Sequence, residues 1–137
     1  MTIIAVDVGT VRVGCAAADE SVRIAFPVAV WPRAQAHAER ELLKTLEERQ
    51  VKILVVGLPL DERGHRTPIC ENIEGFIRRI AKRAVIKIVY VDEAFSSVEA
   101  TQRAAQSSSS VKEVDAFAAC LILERYFESL TNGSPYS

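Results

Sequence analysis

Two apolar runs, Ile3-Ile4-Ala5-Val6 and Val13 to Ala18, are separated only by a short segment containing Asp7-Val8-Gly9-Thr10. So brief a connection leaves two strands one ordinary arrangement, an antiparallel hairpin. A third apolar stretch, about residues 22–30, follows another short turn, so the N-terminal part is expected to be a three-stranded meander. Asp7 ends the first run, where a strand leaving a core fixes its last side chain at the surface. A carboxylate half-buried there is costly unless a cation, a basic partner or a phosphate-positioning network uses it. The competing reading is a turn cap. Gly9 lets the chain reverse beside the acid with no Cβ in the way.

Beyond residue 34 the periodicity changes. Ala36, Ala38, Leu42, Leu43 and Leu46 have helical spacing, with Arg, Glu and Lys on the other face. Lys52 to Gly57 and Ile86 to Val91 read as strands covered on both faces. Between them, Thr67-Pro68 gives an N-cap followed by proline at the first helical position, and the helix is expected to run to about Arg83. Ser96-x-x-Glu99 is a capping box for a helix to about Gln106. Ser107 to Ser110 then break the pattern, as a flap over substrate or an idle linker, before a long amphipathic helix to about Leu130. The order predicts an α/β fold: a mixed five-stranded sheet with helices on both faces. If the strands lie in the order 3-2-1-4-5, the first and fifth are about 10 Å apart.

At 137 residues, 49% hydrophobic and 26% charged, the chain suffices for one domain, 1–137, and not for two ordinary ones. A net charge of −1 excludes a broad basic coat, so any nucleic-acid contact must be local. The cysteines Cys15, Cys70 and Cys120 are far apart, in apolar or helical surroundings, and read as buried thiols rather than metal ligands. They fit a reducing, cytoplasmic setting. No run is long enough for a membrane span, and Asp7 interrupts the start a signal peptide needs.

The chemistry concentrates in acids. Asp7 ends the first strand, Asp92-Glu93 the last, and Asp115 lies near the start of the final helix on a face shared with Ala118, Ala119 and Ile122. A charged group on so apolar a face needs a partner toward the sheet; a dipole-favoured helix start is the simpler alternative. Converging carboxylates repel unless cations neutralise them. Oxygen ligands with no histidine or cysteine beside them suit Mg²⁺ or Mn²⁺. Two such ions about 3.5–4 Å apart support phosphodiester hydrolysis.

Asp7-Val-Gly-Thr-Val-Arg-Val-Gly14, Val55-Val-Gly-Leu-Pro-Leu60, Asp92-Glu-Ala-Phe-Ser-Ser-Val-Glu-Ala100 and Val114-Asp-Ala-Phe-Ala-Ala-Cys-Leu-Ile-Leu123 occur in that order. Over nearly the whole chain this resembles the YqgF (RuvX) family of bacterial RNase H-like nucleases. The resemblance implies an RNase H-like fold and a divalent-metal-dependent endonuclease. It associates the chain with 5′-end processing of pre-16S ribosomal RNA and with Holliday junction resolution. Position by position it implies Asp7, Glu93 and Asp115 as catalytic, metal-binding acids with Asp92 beside them. Arg12 matches the family's basic residue, and Gly9, Gly14, Gly57 and Pro59 its structural turns. Val11 and Ala94 depart from the family pattern, which carries lysine or another polar residue at the first and arginine at the second; a guanidinium missing beside the acids is a phosphate contact missing.

Arg63, His65 and Arg66 follow the Gly57-Leu58-Pro59 loop at the sheet edge that ligands favour, and with Arg12 and Ser96 they are candidate nucleic-acid contacts. A solvated loop is the alternative for the three, and His65 could also shuttle protons. Arg78, Arg79, Lys82, Arg83 and Lys87 read as a solvated helix end, and Trp31 as closing the core. Three functions compete. The first is a nuclease for structured RNA or branched DNA, which as a resolvase would be a homodimer. The second is a non-catalytic nucleic-acid-binding module. The third is a nucleotide-binding protein of the actin and sugar kinase type, which needs two such domains.

Overall fold

In the computed structural model, residues 1–92 and 111–131 are described. The elements are β1 (Thr2–Val8), β2 (Arg12–Asp19), β3 (Phe26–Pro32), α1 (His37–Glu48), β4 (Ile53–Leu58), α2 (Pro68–Ala81), β5 (Lys87–Asp92) and α3 (Val111–Thr131). They form one five-stranded sheet in the order β3-β2-β1-β4-β5, antiparallel through the meander and parallel from β1 to β4 to β5. This is the expected order and mixed character.

Pleating sorts the strand residues onto two faces. Ile4, Val6, Val8, Val13, Cys15, Trp31, Leu54 and Val56 pack with Leu42 and Leu46 of α1 and with Ile73, Phe76 and Ile77 of α2. Ile3, Ala5, Val55, Val89 and Val91 pack with Ile122, Leu123, Tyr126 and Phe127 of α3. Trp31 is buried as expected, but it lies inside β3 rather than after it.

Four boundaries or patterns differ from the sequence reading. β3 begins at Phe26 rather than near residue 22, because Arg23 is left-handed at φ 59° and its N–H closes a turn onto the Asp19 carbonyl at 2.8 Å. Helix α1 starts at His37, behind a short 3₁₀ turn at Ala34–Ala36 and a left-handed Ala36. Helix α2 ends at Ala81, and Thr67 holds the capping position without capping: its hydroxyl donates to the Pro59 carbonyl at 2.8 Å, tying the two ends of the loop. Helix α3 is apolar on several sides rather than amphipathic, since Ala118 and Leu121 form a cluster with Val114 and Phe117 apart from the one against the sheet. The helix expected over Ser96 to Gln106, the serine break and the tail beyond Thr131 lie outside the described residues. Among the described residues no helix is long and apolar enough to cross a membrane.

All three cysteines are buried. Burial pushes the Cys15 thiol up from 9.0 to about 12. Its folded pKa lies above its unfolded one, so the favourable contribution is fully present below about pH 9 and is lost as pH rises toward about 12. Denaturation midpoints should fall across that window, and Cys15→Ala should flatten part of the slope. An identical alkaline slope in the variant would contradict this assignment.

Candidate active site

The α3 face of the sheet carries the acids. Ile3 and Ala5 point to that face, so alternation puts Asp7 there too, at the carboxyl end of β1. Its neighbour across the β1–β2 pairing is Gly14. On the other side, one step beyond the Val6–Val56 partners, lies Gly57 of β4. Asp7 is therefore flanked on both sides by residues without side chains. The strand presents a half-buried carboxylate there.

Gly14 has a second role. A Cβ there would lie 2.1 Å from the Asp115 carbonyl oxygen and 3.1 Å from the Ala116 nitrogen, so the first turns of α3 rest directly on this glycine. The main chain of residue 115 is thereby set over Gly14, the cross-strand partner of Asp7. Ala119 and Cys120 continue the close approach against Ala16.

Arg12 opens β2 on the same face, two residues before Gly14. Its Nε donates to Asp115 Oδ2 at 2.8 Å, with 39% of the Arg12 side chain and 26% of the Asp115 side chain exposed. This is the partner that a carboxylate on an alanine-rich helix face required. The turn leading into β2 is closed by the Gly9 N–H on the Arg12 carbonyl at 2.8 Å, and a Cβ on Gly9 would meet that same oxygen at 2.8 Å.

Asp92 falls elsewhere. Val89 and Val91 fill the α3 face, whereas Ile88 and Tyr90 pack toward α2, so alternation puts the Asp92 side chain on the face opposite Asp7. Its carbonyl accepts from Arg125 Nη1 at 2.6 Å, which fastens the end of β5 to α3. Glu93, Ala94 and Ser96 lie outside the described residues. Among the described residues no group of three acids, histidines or cysteines is assembled for a metal.

The loop after Gly57 is built from Asp61, which sequence reasoning did not single out. Its carboxylate accepts the N–H groups of Arg63 and His65 at 2.9 and 2.8 Å, and its own N–H donates to the His65 carbonyl at 2.8 Å. Asp two residues before a loop N–H is the local signal that marks such a turn. Gly64, at φ +77°, completes it. Arg63 and His65 are exposed here, and Arg66 pairs with Glu74 of α2. Arg66 is thereby held in the layer of α2. Pro59 takes part through its carbonyl, which accepts from Thr67.

Arg33 is a second residue that the sequence did not point to. Its guanidinium lies 5.1 Å from the Phe76 ring, and Nη1 donates to the Gly9 carbonyl at 3.0 Å and to Asn72 of α2. It straps the turn after Asp7 to the opposite helix layer. No periodicity or motif marks such a residue. In the other basic cluster, Arg79 pairs with Glu39 of α1 at 2.7 Å, in keeping with a structural helix face. Val11 is 64% exposed at the tip of the first turn.

A meander joined to parallel units, with acids at the carboxyl end of the first strand and the start of the last helix, defines a resolvase-type RNase H-like fold. It is shared by T. thermophilus RuvC in complex with a Holliday junction substrate (TM-score 0.60, 14% identity, 98% of both chains). It is shared too by the fowlpox virus resolvase complexed with Holliday junction DNA (TM-score 0.54, 16% identity, 95% of this chain and 99% of that one). At such identities the likeness is one of fold alone. The RuvX family model, described as Holliday junction resolvase, matches residues 1–129, and the chain belongs to that family. Proteins named "Putative pre-16S rRNA nuclease" are similar over nearly its full length. The one from Clavibacter sepedonicus is 38% identical over 96% of this chain and 86% of its own. That from Chloroflexus aggregans is 33% identical over 96% of both.

Proposed function

We propose that this chain is a divalent-metal-dependent endonuclease for structured nucleic acid, with the 5′ end of pre-16S ribosomal RNA as its substrate. The observation that carries the reading is the seating of residue 115 on Gly14, the cross-strand partner of Asp7, with Arg12 donating to Asp115. The donor set fits Mg²⁺ or Mn²⁺, since Asp7 and Asp115 offer hard carboxylate oxygens. When bound, a pair of such ions supplies an ionised water and charge for the departing 3′ oxygen.

The chain's own groups do the rest. Asp7 and Asp115 fix the position at which the phosphodiester is attacked. We assign the third carboxylate to Glu93 rather than Asp92, because strand parity turns Asp92 to the other face. Arg12 is the phosphate contact on the acids' own face. Arg63, His65 and Arg66 are more distant contacts for a long substrate, and Ser96 is retained among the proposed contacts. An RNA substrate of this kind places the protein in the cytoplasm.

Resolution of four-way DNA junctions is the second reading, favoured by the family description and implying a homodimer with paired sites. The test is cleavage of two labelled substrates, an RNA bearing the pre-16S 5′ leader and a four-way DNA junction, each with Mn²⁺, with Mg²⁺ and with chelator. Cation-dependent cuts in the RNA are expected. Cuts in the junction alone would transfer the assignment to resolution, and cuts in neither would leave a binding module.

A further inference from the structure

We propose that Arg12 is a built-in countercharge, which holds Asp115 while the cation is absent and turns to a substrate phosphate once the cation arrives. The inference rests on the nuclease reading and gives its site an order of assembly. A guanidinium donating to Asp115 Oδ2 at 2.8 Å sits where positive charge must sit when that carboxylate ligates a metal. Arg12 and a divalent ion therefore compete for one oxygen and repel one another.

The pair is built to be given up. Both partners are partly exposed, at 39% and 26%, and ion pairs in such surroundings contribute little net stability, so releasing this one costs little. Arg12 stands at the first position of β2, beside the exposed Val11, so its side chain can swing outward without unpairing the strand. A phosphate beside the cation is the anion that then receives it, in the planar geometry that guanidinium favours. Linkage follows: whatever the metal loses by displacing Arg12 is returned when nucleic acid takes the arginine.

The test is Mn²⁺ affinity measured by calorimetry without nucleic acid. Arg12→Gln keeps a hydrogen-bond donor and removes the charge, and it should bind Mn²⁺ about tenfold more tightly than wild type. Arg12→Lys keeps the charge and should bind within about twofold of wild type, which also guards against a general folding effect. Unchanged or weaker binding by Arg12→Gln overturns the proposal while the nuclease reading stands, and so does equal tightening by Arg12→Lys. Absence of Mn²⁺ binding in all three proteins overturns the metal-dependent reading and this proposal together.

Discussion

Asp7→Asn should fold as the wild type does and lose cleavage by on the order of 10³-fold, about 4 kcal/mol of barrier. The side chain ends a strand whose interior positions Ile3 to Val6 are fully buried, and it is not one of the buried core residues itself. The substitution keeps size and hydrogen-bonding capacity and removes the charge that a hard cation requires. Thermal melts should therefore coincide while single-turnover rates separate. Retention of wild-type cleavage by Asp7→Asn would remove the acid from the mechanism.

Gly14→Ala should act the other way, on the fold before the chemistry. The added carbon would lie 2.1 Å from the Asp115 oxygen and 2.5 Å from its carbonyl carbon, both backbone atoms that no rotamer change can clear. Either α3 lifts from β2 or the strand bends, at a cost of about 3 kcal/mol or more. Lifting the helix also parts Asp115 from Asp7, so residual folded protein should cleave poorly. Gly75→Ala is the matched control. It lies mid-helix in α2, where an added methyl carbon would have only the Arg78 and Arg79 side-chain ends near it, at 3.7 and 3.8 Å. Alanine there should stabilise by up to about 1 kcal/mol. Denaturant midpoints for the two variants should move in opposite directions. A Gly14→Ala protein as stable as wild type would mean that α3 does not rest on this glycine.

The sheet was legible because its strands are bounded by turns and its two faces are filled by simple alternation. β3 was misplaced at its start for a physical reason: Val22 and Ile24 are apolar but 62% and 69% exposed, and composition does not distinguish an exposed turn residue from a strand residue. Helix α3 misled in the same way, since it is covered on more than the sheet side and so lacks the polar stripe of a surface helix. Asp115 announced that it needed a partner, but that partner, Arg12, is 103 residues away and only the sheet order brings the two together. Arg33 acts through the Gly9 carbonyl, Asn72 and the Phe76 ring, all distant in sequence, whereas Asp61 left only the short spacing of an Asx turn to read. Asp92 and Glu93 are adjacent in sequence and equivalent in chemistry; pleating turns Asp92 away from the face that Val89 and Val91 share, which the sequence alone did not show.

Iron-directed cleavage of the polypeptide locates the metal itself. Fe²⁺ replaces Mg²⁺ or Mn²⁺ at oxygen-ligand sites, and with ascorbate and peroxide it breaks the backbone only beside the ion. The expected outcome is cuts confined to the neighbourhood of residues 7, 93 and 115, suppressed by excess Mn²⁺ and absent from Asp7→Asn. Scattered cutting, or cuts at those positions that persist in Asp7→Asn, would contradict a metal site formed by the two acids across Gly14.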